Sequence, residues 1–494
     1  MSSKNGIKFI KIQQNLQHLT LGKLCKFIAI SGLVLFLFYI FILNHFYNHS
    51  SNHLALSKFI WPANSSNVTN SNSTSKIAPS PPTNISHIVF GIAGSLNGWK
   101  FRKPYIESWW QENVTRGYLF LDIPPTDEFL PWPSSSPPFR INEDISRLKS
   151  YAKIRKKFQV RVFRTILEVF RAKNKDVRWY VMADDDTILF VDNLVNVLAK
   201  YDHTQNLYIG TNSECITSNL FASFGMAFGG AGIALSYPLA KQLVGKIDEC
   251  LARYQNLYAS DFMLYSCLTD LGVALTPQKG FHQIDLHNDI SGFLSAHPQS
   301  PVLSLHHIDS VNPIFPSLSR SESVNHLMKV AKVDSSRLLQ QTICYRRQTN
   351  WSFSVSWGYS THIYEMIYPR NVLVKPLQTF SPWRKNDRPP LFMFDTRDVK
   401  NNSCETPHVF FFESVKNSTG KSVVTTYSRV LPRNLPPCSI SGNHSADFIK
   451  KIQVFSPSTT LKEEGKIECC DIEETTETTV TDIKLRACRE DEII

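Results

Sequence analysis

Three consecutive carboxylates, Asp184–Asp186, directly follow the apolar run Trp179–Ala183, which predicts a strand. Like charges this close raise one another's pKa unless a cation neutralises them. Carboxylates together with phosphate oxygens are the usual ligands of Mg²⁺ and Mn²⁺ in proteins. The pattern therefore predicts either a site for a metal-bound diphosphate at the end of a strand or a solvated acidic loop.

Three further features later in the chain have residue types that suit chemistry. The small residues Gly229–Gly232 either let a ligand approach the backbone closely or form a tight turn. Asp261 stands where an apolar helical pattern begins, and it is either a general base for an acceptor hydroxyl or an N-terminal cap. The pair His306–His307 follows an apolar stretch, and it either ligates a metal or is structural.

Short strand and helix patterns alternate around these residues. The runs His87–Ile92, Tyr118–Ile123 and Trp179–Ala183 are apolar and β-branched, which predicts buried strands. Between the last two, the basic and amphipathic stretch Arg147–Ala172 predicts a long helix. Strands alternating with helices predict a mostly parallel sheet, whose ligands bind beyond the carboxyl ends of the strands. Asp122 and the three aspartates stand at such ends.

Composition restricts the partners and the compartment. The 494 residues carry a net charge of +11, but the basic side chains form no compact stripe rich in aromatic residues, so we do not expect nucleic acid as a partner. The ten cysteines form no CxxC pair, which argues against a structural zinc site. Apart from Cys25, which lies near the N-terminus, an odd number remains. We expect disulfides in an oxidising compartment, with at least one cysteine free or paired between chains.

The N-terminal region predicts a membrane anchor. Residues 27–47 are apolar and uncharged over most of their length, and five lysines but no acidic residue precede them. By the positive-inside rule, residues 1–26 are a cytosolic tail and the rest of the chain is lumenal. Residues 48–86 are rich in Asn, Ser, Thr and Pro and contain several glycosylation sequons, which is typical of a flexible stem. We expect a single-pass type II protein of the Golgi membrane; a cleaved signal peptide is the alternative to the anchor.

Taken in order, these motifs resemble the fringe-like β1,3-glycosyltransferases and, more narrowly, a plant family of fringe-related proteins long labelled a domain of unknown function. The segment Trp179–Gly210 resembles the family's strand, aspartate motif, helix and following strand, including a Tyr-x-His-Thr turn at Tyr201–Thr204. Gly229–Gly232 matches the family's glycine run. The resemblance covers about half of the chain, from Ile88 to Asp309.

The resemblance implies roles for individual residues. The family's catalytic base corresponds to Asp261, here in a Ser-Asp-Phe context instead of Pro-Asp-Asp. Its metal histidine corresponds to His282 by distance from Asp261 or to His307 by the residues that follow; we favour His307, and the insertion 285–301 separates the two. The implied sets are Asp185, Asp186 and His307 for Mn²⁺ (or Mg²⁺), Asp261 for catalysis, and Asp122, Arg164, Asp184, Asp185, Gly229 and Gly230 for the nucleotide-sugar.

The resemblance also implies the fold and the activity. The fold is the GT-A type of α/β structure, a Rossmann-like mixed sheet flanked by helices. The activity is metal-dependent, inverting transfer of a hexosyl or N-acetylhexosaminyl group from a UDP-sugar to a glycan or glycoprotein acceptor. We expect a catalytic domain at residues 87–311, a C-terminal extension packed against it at 312–445, and a polar, partly disordered tail at 446–494.

Two other interpretations compete with an active enzyme. The missing second acid beside Asp261 suits an inactive fringe-like protein that binds sugars or serves as a scaffold. The aspartate run also suits a membrane receptor that binds Ca²⁺, but it lacks the DxDxDG spacing of a calcium loop.

Overall fold

The structure is a computed structural model in which the chain divides into two compact units, Met1–Pro79 and Ser80–Ile494. In the first unit the described residues, 31–40, are helical and exposed. No helix among the described residues is both long and apolar enough to cross a membrane. The rest of the predicted anchor and the predicted stem up to residue 80 lie outside the described residues. In the second unit the structure describes residues 81–385, 387–418, 422–438, 445–458, 468–473, 479–490 and 492.

The second unit contains strands and helices throughout. Its strands are β1 (Ile88–Ala93), β2 (Gly117–Leu121), β3 (Phe139–Ile141), β4 (Trp179–Asp184), β5 (Ile188–Leu189), β6 (Tyr208–Gly210), β7 (Ile233–Ser236), β8 (Leu275–Pro277), β9 (Leu286–Asn288), β10 (Ser304–Leu305), β11 (Gln341–Arg346), β12 (Trp351–Ser356), β13 (Ser360–Tyr364), β14 (Phe380–Pro382), β15 (His408–Ser418), β16 (Ser422–Arg429), β17 (Lys451–Pro457), β18 (Glu468–Glu473) and β19 (Val480–Ala487). Its helices are α1 (Leu96–Glu107), α2 (Lys157–Arg171), α3 (Val191–Leu198), α4 (Ile216–Phe221), α5 (Tyr237–Val244), α6 (Ile247–Tyr254), α7 (Ser260–Asp270), α8 (Ser291–Ala296), α9 (Arg320–Ala331) and α10 (Arg370–Leu373).

The first sheet is mixed and has the order β3-β2-β1-β4-β7-β6-β8. The strands β3, β2, β1 and β4 run parallel to one another. β7 is antiparallel to both of its neighbours, and β8 is parallel to β6. The predicted mixed α/β sheet is therefore confirmed. β1 is buried along its whole length, as expected for a strand covered on both faces.

Alternate residues of β1 enter two different hydrophobic clusters, one on each face of the sheet. Ile88, Phe90 and Ile92 belong to one cluster, and Val89 belongs to the other. The second cluster is closed by α2, whose apolar residues recur at helical spacing. α2 is shorter than the predicted helix Arg147–Ala172, because two 3-10 turns occupy the chain between Ile145 and Lys153.

The second sheet has eight strands in the order β11-β12-β13-β15-β16-β17-β19-β18 in the described part of the chain. It is antiparallel except for the pair β17 and β19. Phe353, Tyr427 and Ile483 of this sheet belong to the same hydrophobic cluster as Phe90 of the first sheet. The region after residue 311 is thus packed on the first sheet through a continuous core.

The predicted tail from residue 446 onwards needs correction, because three of its segments are strands of the second sheet. β17 and β19 alternate buried residues with partly or fully exposed ones, and Ile452, Val454 and Ile483 are fully buried. An acidic, threonine-rich composition suggested disorder, but a strand with one buried face needs an apolar residue only at every second position.

Four disulfides connect the described cysteines: Cys250–Cys267, Cys344–Cys470, Cys404–Cys438 and Cys469–Cys488. Cys215 is free and buried. Cys215 is therefore the cysteine that the odd count leaves free or paired between chains, among the described residues. The disulfide between Cys344 and Cys470 joins β11 to β18. It therefore links the first strand of the second sheet to the region that was predicted to be a partly disordered tail.

Glu168 on α2 gives a prediction about stability and pH. Burial raises the pKa of Glu168 to about 7, although Asn142 and the backbone N–H of Glu143 donate hydrogen bonds to its carboxylate. A carboxyl group with a higher pKa in the folded state is harder to ionise there than in the unfolded state. The free energy of unfolding therefore falls as the pH rises from the unfolded-state pKa to the folded-state pKa. Glu168→Gln should therefore stabilise the protein by about 1–3 kcal/mol at pH 8 and by almost nothing at pH 4. Urea unfolding at both pH values measures this; an equal effect at both would contradict it.

Candidate active site

The aspartate motif sits in a turn that the backbone fixes against the glycine run. β4 ends at Asp184, and the backbone N–H of Asp185 donates to the carbonyl of Ala93 on β1 at 2.9 Å. The hydroxyl of Thr187 accepts from the backbone N–H of Asp184 at 3.1 Å and donates to the carbonyl of Gly230 at 2.7 Å. The carboxylates therefore leave the sheet at a defined place, beside the glycines.

A histidine reaches these carboxylates through a short strand pair. β5 follows the aspartates and pairs antiparallel with β10, in the register Ile188 opposite Leu305. His306 follows β10 directly, so this register brings it back to the aspartate turn. Its Nε2 lies 3.0 Å from Asp186 Oδ1 and 3.8 Å from Asp184 Oδ2.

Gly230 makes room for His306. A Cβ atom at position 230 would lie 2.1 Å from Cε1 of His306 and 2.4 Å from both of its ring nitrogens. No side chain fits in that space, so the imidazole can occupy its place only above a glycine. At Gly229 an added Cβ would meet Asp261 Cβ at 3.6 Å, which is an ordinary contact.

Asp184, Asp186 and His306 form a set that suits a divalent cation. Each offers one ligand atom, and these atoms lie within 4.8 Å of one another. Asp186 Oδ1 is buried, and Nε2 of His306 lies 3.0 Å from it. Two carboxylates and an imidazole are donors that Mn²⁺ accepts, with phosphate oxygens or water completing its coordination. These residues therefore fit a metal bound to a diphosphate.

Arg102 on α1 forms ion pairs with the two later aspartates of the motif, Asp185 and Asp186. Its guanidinium lies 2.7 Å from Asp185 Oδ1, 3.0 Å from Asp186 Oδ2 and 2.8 Å from Asp309 Oδ2. Asp186 thus turns one oxygen to Arg102 and the other to His306. Asp185 faces Arg102, which differs from its predicted place as a metal ligand.

The charges in this cluster shift the pKa values of its buried members. Burial raises the pKa of Asp185 to about 6, although Arg102 opposes the shift. Burial alone would lower the pKa of His306, but the carboxylate of Asp186 raises it to about 9. Burial would raise the pKa of Asp186, but His306 and Arg102 hold it below its usual range. When His306 serves as a neutral ligand, the carboxylates of this cluster outnumber the guanidinium of Arg102, which leaves negative charge for a bound cation to neutralise.

Arg102 gives a second prediction about stability. Arg102→Met leaves the buried carboxylates of Asp185 and Asp186 without their cation, so it should destabilise the protein by about 2–4 kcal/mol. Lys100→Met on the same helix removes an ion pair with Glu128 in which both side chains are more than half exposed, so it should cost about 0.5 kcal/mol or less. Urea unfolding at pH 7 compares the two variants; equal losses would contradict the role of Arg102.

Asp261 and His306 line one cavity of about 230 Å³, together with Asp184, Gly229 and Gly230. Asp261 lies in the first turn of α7, and its Oδ2 accepts a hydrogen bond from the backbone N–H of Gly229 at 3.3 Å. Ala259 is the capping residue of α7, so Asp261 is not the N-cap. Burial raises the pKa of Asp261. A carboxylate of this kind at a cavity wall suits a general base.

Three residues of the predicted site have other polar partners. Arg164 is buried in α2, where it pairs with Glu143 and Asp248 and does not line the cavity. Asp122 accepts a hydrogen bond from the backbone N–H of Leu96, at the start of α1. His307 lines the cavity, but its Nδ1 lies 3.2 Å from Asp285, and His306 takes the place beside the aspartates that we had assigned to it.

A tryptophan of the C-terminal extension lies against the same loop. β14 pairs with β9, and the backbone N–H of Trp383 donates to the carbonyl of Asp285 at 2.9 Å. The Trp383 ring stacks on His307 with 4.4 Å between centroids and on His287 at the same distance. Neither Trp383 nor Arg102 belongs to the predicted site, because no local motif marks either one.

Two family models match the chain. One, described as protein of unknown function DUF604, matches residues 218–470. The other, described as Fringe-like, matches residues 99–314 and confirms the predicted resemblance at that level.

Two curated relatives share part of their length with the chain. A human β-1,3-glucosyltransferase is 28% identical over 119 residues, which are 24% of this chain and 23% of that protein. A mouse β-1,3-glucosyltransferase is 31% identical over 162 residues, which are 32% of this chain and 31% of that protein. The chain therefore spans less than a third of the length of these relatives.

Two solved structures show weaker similarity. A glycosyltransferase involved in the glycosylation of the major capsid of PBCV-1 is 11% identical, with 48% of this chain and 98% of that chain covered and a TM-score of 0.27. The mannosyltransferase PcManGT from Pyrobaculum calidifontis, in complex with GDP-Man and Mn²⁺, is 14% identical, with 41% and 57% covered and a TM-score of 0.24.

Proposed function

We propose that this chain, which belongs to the family described as protein of unknown function DUF604, is an inverting glycosyltransferase that uses a metal-bound nucleotide-sugar. One observation carries the proposal: a carboxylate and an imidazole that suit a divalent cation, Asp184 and His306, line the same cavity as the carboxylate of Asp261. The Fringe-like match and the similarity to β-1,3-glucosyltransferases support the same reaction class.

Asp184, Asp186 and His306 would hold Mn²⁺ or Mg²⁺. When bound, the cation would stabilise the negative charge that develops on the departing nucleoside diphosphate. Arg102 keeps Asp186 in place by binding the carboxylate oxygen that faces away from His306. Gly230 admits the His306 ring, and Thr187 ties the aspartate turn to the carbonyl of Gly230.

Asp261 would take the proton of an acceptor hydroxyl. As that proton moves to Asp261, the acceptor oxygen forms a bond to the anomeric carbon of the donor, and the bond from that carbon to the diphosphate oxygen breaks. The hydrogen bond from Gly229 fixes the carboxylate, and the burial that raises its pKa makes it a stronger base. A single displacement of this kind inverts the configuration at the anomeric carbon.

The proposal also covers the donor, the acceptor, the branch of the family and the compartment. The donor would be a UDP-sugar carrying a hexosyl or N-acetylhexosaminyl group, and the acceptor a glycan or glycoprotein whose binding Trp383 helps to shape. The motifs at Tyr201–Thr204 and Gly229–Gly232 support the plant branch of the fringe-related proteins. Four disulfides support an oxidising compartment, and the apolar residues 27–47 support an anchor in the Golgi membrane with a lumenal catalytic part.

Calorimetric titration of the purified full chain with a panel of nucleotide-sugars, with and without Mn²⁺, tests the donor site. We expect one UDP-sugar to bind only when Mn²⁺ is present, and Asp186→Asn to weaken this binding by more than about 10-fold. His307→Ala should have a smaller effect, since His307 stacks on Trp383 and lies beside Asp285. Metal-independent binding of the donor, or binding of no donor at all, would contradict the proposed donor site.

A further inference from the structure

A second group of ligand-type side chains lies outside the aspartate site. Glu214 follows β6, His282 follows β8 and His297 follows α8, within the insertion 285–301. Each of the three offers one ligand atom, and these atoms lie within 4.8 Å of one another. The group shares no residue with Asp184, Asp186 and His306.

One ring nitrogen of this group, His282 Nε2, has no hydrogen-bond partner among the described residues. Glu214 and His282 are each 6% exposed. Glu214 Oε2 accepts a hydrogen bond from the backbone N–H of Ile284 at 2.8 Å, and Glu214 Oε1 lies 3.2 Å from His282 Nδ1. His282 Nε2 is also buried. An unpaired buried nitrogen is costly, so a bound group at this position would stabilise the fold.

The three side chains also open onto a cavity. It has a volume of about 330 Å³, and polar residues such as Asn212, Ser213 and Ser300 line it beside the metal-ligand group. Two imidazoles and one carboxylate, with space for water in a further position, are the ligand set of open zinc sites. A carboxylate oxygen held by a backbone N–H is the kind of outer contact that orients such ligands.

We propose that Glu214, His282 and His297 bind a divalent transition metal ion of the zinc class, at a site separate from the aspartate motif. The ion would tie the insertion to the ends of β6 and β8. Imidazole donors favour zinc-class ions, whereas the aspartate site, rich in carboxylates, favours Mn²⁺ or Mg²⁺. This inference does not depend on the proposed transfer activity.

Metal content of the purified full chain tests the site. The protein is stripped with a chelator, dialysed against Zn²⁺ in the presence of excess Mg²⁺, and analysed by mass spectrometry of the bound metal. We expect His297→Ala to lose one equivalent of Zn²⁺ relative to the wild type, and to bind Co²⁺ without the visible absorption that the wild-type site gives. His203→Ala, which removes a half-buried histidine that belongs neither to the ligand group nor to the lining of this cavity, serves as the control and should keep both properties.

A measurement on the wild-type protein covers the case in which His297→Ala fails to fold. Diethyl pyrocarbonate modification, mapped by peptide mass spectrometry, should be slowed more than about 10-fold at His297 when Zn²⁺ is added, and left unchanged at His203. Equal zinc content in the wild-type and His297→Ala proteins, or equal modification of His297 with and without Zn²⁺, would overturn the proposal.

Discussion

Gly230→Ala should strongly weaken metal-dependent donor binding, whereas Gly229→Ala should leave it nearly intact. An alanine Cβ at position 230 would overlap the ring of His306, at 2.1 Å from Cε1, so the imidazole would have to leave the aspartates. At position 229 the Cβ meets only ordinary contacts, and the backbone N–H that binds Asp261 is kept. We expect donor affinity in the presence of Mn²⁺ to fall more than about 10-fold in the first variant and less than about threefold in the second.

The two glycine variants form a matched pair, because the same methyl group is added at neighbouring positions of the same turn. Circular dichroism should show that both fold, and calorimetry should then separate them. His306→Ala should reproduce the loss seen in Gly230→Ala, since both remove the imidazole from the site. Equal donor affinity in Gly230→Ala and in the wild type would show that His306 does not hold the metal.

Asp261→Asn should lower the rate of sugar transfer by about 10²–10⁴-fold and change donor affinity by less than about threefold. The amide keeps the size of the side chain and can still accept the hydrogen bond from Gly229, but it cannot take a proton from the acceptor. Asp270→Asn is the control, because Asp270 lies on the same helix and forms an ion pair with Arg253 away from the cavity.

Rates of transfer and donor affinities of both variants distinguish a base from a positioning group. If Asp261→Asn binds the donor poorly, its carboxylate orients the donor and is not the base. If it transfers sugar as fast as the wild type, another group takes the proton. Asp270→Asn should match the wild type in both measurements.

The local sequence was sufficient to predict the aspartate turn. An apolar run followed at once by three carboxylates depends only on neighbours in the chain, and β4 indeed ends at Asp184. β1 and β2 were found by the same kind of pattern. The sheet is mostly parallel, as expected, since β7 runs against the other strands of this sheet. The strand order and the direction of β7 depend on long-range pairing, which the local pattern does not reveal.

The choice between His306 and His307 depends on backbone conformation, which the sequence pattern does not reveal. His307 has a left-handed conformation with a φ of 57°, which is uncommon for a residue other than glycine. Its ring therefore turns towards Asp285 and Trp383, and His306 is left beside Asp186. Ile308 and Asp309, whose match to the family favoured His307 as the metal ligand, do not predict this backbone conformation.

Long-range pairing explains the other differences. Arg102 binds Asp309, 207 residues away in the chain, and no motif in α1 marks it. The family resemblance implied that Arg164 binds the donor, but Glu143 and Asp248 neutralise it. β19 pairs with β17, although both strands lie in a region whose composition resembles a disordered tail. The pairing identifies β19 as a strand, and the composition does not.

The central claim is that a metal site and a base at one cavity transfer a sugar. The most direct measurement is the release of nucleoside diphosphate by the purified full chain, given the UDP-sugar that binds in the calorimetric panel, with a set of glycan acceptors. We predict release that requires Mn²⁺, increases with a suitable acceptor, and is lost in both Asp186→Asn and Asp261→Asn. Release of equal rate with and without metal, or in Asp186→Asn, would contradict the account.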